Sequence, residues 1–145
     1  MAFHFKMQTV LRYREQLEDE ARADLALKRQ RLDEARRRFE RLRAELRQAE
    51  DAQRAAALKS AAERWLQDQY VKGLRDDVAQ AALQRRMMEQ LAEEARKLLA
   101  QRAMDRKLLE KLKERQAQQF RHEERMKEQR VNDETATLRY KAPAL

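Results

Sequence analysis

The stretch from Leu11 to Ala49, LRYREQLEDEARADLALKRQRLDEARRRFERLRAELRQA, decides the fold because it carries a legible heptad repeat. One column is Leu11, Glu18, Leu25, Leu32, Phe39 and Leu46; the other is Ala21, Lys28, Ala35, Leu42 and Ala49. Columns alternating at three and four residues line one stripe of a helix, and such a stripe needs a second helix to cover it. Glu18 and Lys28 weaken this seam locally, while the alanines let a partner helix approach closely. A first helix is therefore expected over about 5–57.

Past Leu46 the seam loses its large side chains, and Ser60-Ala61-Ala62-Glu63 offers a capping box. There Ser60 would accept from the Glu63 amide while the Glu63 side chain reached back to Ser60. The spacing predicts a turn at about 58–60 and a second helix over about 60–137, with a frayed tail to 145 after Lys141-Ala142-Pro143. Its apolar stripe runs through Leu66, Tyr70, Val71, Leu74 and Val78 to Ala81, Met88, Leu91, Ala95, Leu98, Leu99, Leu109 and Leu112, and thins after Phe120. Arg85 and Arg102 fall at or near that stripe and are expected to snorkel out of it. Gly73 costs roughly 1 kcal/mol against Ala, too little to break so long a helix.

The expected fold is all-α: a long antiparallel two-helix coiled-coil hairpin, forming a single coiled-coil domain over 1–145. A turn at Ser60 makes residue i face roughly residue 117 minus i, so Leu42 lies beside Leu74 and Phe5 beside Leu112. Helix two then overhangs helix one by about 20 to 25 residues, or roughly 35 Å.

Composition agrees. Charged residues make up 41% of the chain, and one Gly and one Pro leave little punctuation, which is the profile of long helices rather than of a layered globular core. The longest apolar run, Ala55 to Leu58, is far short of the roughly 20 residues of a membrane span. Met1-Ala2-Phe3-His4-Phe5-Lys6 lacks the apolar stretch of a secretory signal, so a cytoplasmic location is the default. Without Cys there are no disulfides or thiolate metal sites.

The net charge of +8 points to acidic partners, yet the excess is spread out. Its densest stretch, Lys28–Arg47, has nine bases against four acids. Many charges elsewhere fall into i, i+4 pairs such as Asp24 with Lys28 and Glu123 with Lys127, which support a solvated helix face.

No catalytic constellation emerges. His4 and His122 are not opposite one another, no metal or phosphate motif occurs, and Asp76 and Asp77 point to different sides of an exposed helix. Neither enzymatic activity nor a cofactor is expected. Trp65, the only tryptophan, is expected to pack near the hairpin tip. Trp65, Leu66, Tyr70, Val71 and Leu74 nevertheless span more than one stripe, so some of them should stay exposed and suit a docking site. Met88 is expected in the seam.

The opening Phe3-His4-Phe5-Lys6-Met7-Gln8-Thr9-Val10-Leu11-Arg12-Tyr13-Arg14-Glu15 resembles that of the FliJ family, small coiled-coil proteins of flagellar type III export. Ala21 with Leu25-Ala26, Trp65 with Tyr70-Val71 and Leu74, and Glu128-Gln129 with Asp133-Glu134 agree with the same family, so the similarity covers nearly the whole chain.

The resemblance implies a component that inserts as a stalk into the export ATPase hexamer, docks on the cytoplasmic domain of the export gate, and escorts substrate chaperones. It would sit at the cytoplasmic face of the inner membrane, held there through partners only. The gate patch carries over onto Leu42, Tyr70 and Leu74. Contacts to the ATPase ring carry over onto Phe3, Phe5, Val10, Leu11, Glu128, Gln129, Asp133 and Glu134. Glu45 and Ala49 stand where relatives often have aromatics, and Asp77 and Ala81 continue the patch without bulky groups. The competing readings are a basic coiled coil that binds nucleic acid non-specifically and a self-associating structural coiled coil. Diffuse charge weighs against the first, and no nucleic-acid partner is expected.

Overall fold

The structure, a computed structural model, describes residues 2–56 and 59–141, apart from the side chain of Lys141. Two helices account for nearly all of it: α1, Gln8–Ala55, and α2, Ala61–Lys141. The expected tail from 142 onward and part of the expected turn, at 57 and 58, lie outside the described residues.

Ser60 starts α2 with the first half of the expected capping box. Its Oγ accepts from the Glu63 amide at 3.3 Å, and its carbonyl accepts the first helical bond, from Arg64, at 3.0 Å. At the other end, the Gln8 amide donates to the Phe5 carbonyl at 3.1 Å, so α1 begins just past the opening aromatics. Gly73 lies inside α2 with nothing within 4 Å of an added Cβ, so close packing does not require it.

The chain divides into two compact units, 19–101 and 1–18 with 102–145. Within each, segments of α1 and α2 run antiparallel, which is the all-α hairpin expected from the repeat. In unit 19–101 the α1 columns hold: Ala21, Leu25, Leu32, Ala35 and Ala49 are buried. Val71 is fully buried and clusters with Ala49 and Leu74, while Leu42 and Leu46 lean on that cluster. Large side chains seated on an alanine bring the helices close, and Gln67 Nε2 reaches the Ala49 carbonyl at 3.1 Å.

The α2 seam differs from the expected stripe. Val71, Leu74, Ala81, Ala92 and Ala95 are buried, and their spacing alternates cleanly at three and four residues through Val78, Arg85 and Met88, which are half-buried. Leu66, Tyr70 and Leu98 stand one position off this seam and are exposed, and Leu91 is only half-buried. Trp65 is 61% exposed, contrary to the expected packing at the tip, because the seam there is formed by Gln67 and Val71. Arg85 does not simply snorkel: its guanidinium lies 4.6 Å from the ring centre of Phe39, its counterpart in the α1 seam.

The second unit joins the chain's opening to the distal part of α2. Phe5 and Leu11 are buried, and Phe3 packs on Phe120 with ring centres 5.7 Å apart. Lys113 Nζ donates to Gln8 Oε1 at 2.8 Å, and Arg14 pairs with Asp105 at 3.6 Å. Simple counting from the turn had placed Lys113 opposite His4 and Phe5 opposite Leu112. In unit 19–101 the same counting had placed Phe39 opposite Val78 and Glu50 opposite Gln67, whereas Phe39 meets Arg85 and Glu50 meets Arg75. In both units the partners are displaced by about one to two helical turns, and Leu42 packs on the cluster that contains Leu74. The physical reason is that the α2 column that packs, rather than the midpoint of the turn, sets the register.

Candidate docking surfaces

No group of three or more His, Cys, Asp or Glu among the described residues is placed to hold a metal ion. No helix among them is long and apolar enough to cross a membrane. What the surface does offer is exposed apolar side chains on helices whose seams are already covered.

In unit 19–101 the exposed group nearest the turn is Trp65, Leu66 and Tyr70, between 56% and 62% exposed. Tyr70 is therefore open, as expected of a docking residue. Leu74 is not: it is 6% exposed and part of the core, and Leu42 is half-buried against the cluster that contains it. The three residues therefore do not form one exposed patch, since Leu74 and Leu42 hold the helices to each other. Sequence reasoning missed this division because Tyr70 and Leu74 are four apart and appear to share one stripe. The column that packs is Val71, Leu74 and Val78, which leaves Tyr70 on the flank; Tyr70 and Val71 are both apolar, so the letters do not separate the two.

In unit 1–18 with 102–145, the residues assigned to the ATPase ring separate in the same way. Phe5 and Leu11 are buried and Phe3 is half-buried on Phe120, so these hold the unit's own packing. Val10 is exposed, and so are Glu128, Gln129, Asp133 and Glu134 on α2. From Arg125 to Tyr140 every residue of α2 is exposed, including Met126, Val131, Leu138 and Tyr140. Thr135 and Thr137 donate their hydroxyls back to the carbonyls of Val131 and Asp133, each at 2.8 Å, and so satisfy them within the helix.

This unit also holds the one buried charged side chain found among the described residues. Glu18 sits in the α1 seam at 5% exposure, and the Arg106 guanidinium donates to its carboxylate while Nη1 donates to Glu110 at 2.8 Å. The hydrogen bonds to Glu18 and then to Glu110 raise the Arg106 pKa above its ordinary value, so the guanidinium stays charged. The expected weak point in the repeat is thus a charged pair spanning the two helices.

A family profile described as the flagellar FliJ protein matches residues 3–144. No curated protein and no solved structure matches the chain.

Proposed function

Because the chain belongs to the family of flagellar FliJ proteins, a non-catalytic family associated with flagellar export, we propose that it is a stalk that inserts into the export ATPase hexamer. The observation that carries this reading is the α2 segment from Arg125 to Tyr140, a helix exposed on every side. It displays Met126, Val131, Leu138 and Tyr140 to solvent, apolar surface that a ring lumen would cover. Val10, Glu128, Gln129, Asp133 and Glu134 supply the ring contacts. Phe3, Phe5 and Leu11 act behind them by holding the paired ends together.

Tyr70 is the direct contact of the gate patch, with Leu74 and Leu42 supporting it from the seam. Trp65 and Leu66 extend the apolar surface beside it. Substrate chaperones are the third class of partner in this reading. The site of action is the cytoplasmic face of the inner membrane, reached through partners.

The test is truncation. Removing residues 121–145 takes little of the seam, so the remaining chain stays helical and folded while stimulation of the export ATPase is lost. Stimulation unchanged from that of the full chain overturns the stalk assignment.

A further inference from the structure

The two flanks of the seam in unit 19–101 are unlike each other. One is closed by ion pairs between the helices, Arg36 with Glu89 at 3.8 Å and Arg75 with Glu50 at 3.5 Å. On the other flank lies a groove lined by Arg31, Ala35 and Arg38 of α1 and by Gln84 and Met88 of α2, with Glu34 at its lip. Along the same flank α2 continues through Leu91, half-buried, and Leu98, 41% exposed, with Met87 alongside at 55%. Neither Arg31 nor Arg38 has an ion pair among the described residues.

We propose that this open flank is a docking groove for an acidic amphipathic helix of a partner protein, laid along unit 19–101 as a third strand. The apolar positions, Met88, Leu91 and Leu98, recur at helical spacing and match the apolar stripe of a guest helix. Arg31 and Arg38 are seven residues apart, about 10.5 Å along the helix, so a guest with a carboxylate in every heptad meets both. Ala35 between them leaves room for close approach. A second copy of this chain is a poorer occupant, since it brings another +8 of charge to the two arginines. Nucleic acid would leave the apolar strip uncovered. The groove shares its flank with Tyr70, fourteen residues from Gln84 along α2, but lies away from the distal part of α2, so the inference does not depend on the stalk reading and its failure leaves that reading standing.

The test uses the full chain and a synthetic helical peptide of about four heptads, with Leu in its seam columns and Glu in the flanking ones. A matched peptide with Lys for Glu is the control. The Glu peptide is expected to bind and to gain helix on binding, and the Lys peptide to bind at least about tenfold more weakly. The double change Arg31→Glu with Arg38→Glu reduces affinity for the Glu peptide by about tenfold or more, and Met87→Ser with Leu98→Ser also weakens it. Arg121→Glu with Arg125→Glu alters net charge equally in the other unit and leaves binding within about twofold.

Three results overturn the proposal. One is equal binding of the two peptides. Another is equal loss from the two charge reversals, which reduces the effect to diffuse attraction. The third is a wild-type dimer in sedimentation that dissociates on Met87→Ser with Leu98→Ser, which makes a second copy the occupant.

Discussion

A carboxylate inside a coiled-coil seam persists only with a partner, and Glu18 has Arg106, which is itself held by Glu110. Removing one member leaves a partly desolvated charge, so Glu18→Ala is expected to destabilise the chain by about 1–3 kcal/mol in urea melts. Glu18→Leu combined with Arg106→Leu is expected to return stability to the wild-type value or above it, because the pair's attraction barely offsets its desolvation. A double variant no better than Glu18→Ala would show that the pair itself stabilises the fold. Tyr70 and Leu74 provide the second residue-scale prediction. Leu74→Ala removes a buried side chain and is expected to cost about 2–5 kcal/mol, whereas Tyr70→Ala, at an exposed position, stays within about 0.5 kcal/mol of wild type. Thermal melts of the two variants check this. Affinity for the gate's cytoplasmic domain should then fall with Tyr70→Ala while the fold is intact, and unchanged affinity removes Tyr70 from the patch.

At the scale of the element, the start of α2 depends on Ser60, whose hydroxyl satisfies the otherwise unpaired Glu63 amide. Ser60→Ala is expected to lower stability by about 1 kcal/mol, and Ser60→Asp to retain it, since Asp caps equally well and complements the helix dipole. Equal melts for all three proteins would mean that the seam alone fixes where α2 begins. Within α1 and α2, several arginines pair with an acid three residues earlier, as Arg43 does with Glu40 and Arg96 with Glu93. Such exposed pairs contribute little individually. They keep each helix face solvated while the seam supplies most of the stability.

Across the whole molecule, burial is confined to the seam of each unit and stops at Glu124, the last half-buried position of α2. Hydrogen exchange should therefore protect amides around Leu25, Leu32, Val71 and Ala81 well, and those from Arg125 to Tyr140 little. Strong protection of that last segment in the free chain would mean that something already covers it. The repeat from Leu11 to Ala49, the Ser60 cap and the scarcity of Gly and Pro were enough to determine two helices and their hairpin, because periodicity and caps are local properties. The family likeness was also legible, in residues distributed over nearly the whole chain. What a single strand of letters could not decide was which of two adjacent α2 columns packs. Tyr70 and Val71, or Leu91 and Ala92, are both apolar, and only contact with Ala49 and the rest of α1 chose the second of each pair. That choice buried Leu74, exposed Trp65 and Tyr70, turned Glu18 toward Arg106 and left one flank open, because a helix has a single face to give its partner and the closest-packing column takes it.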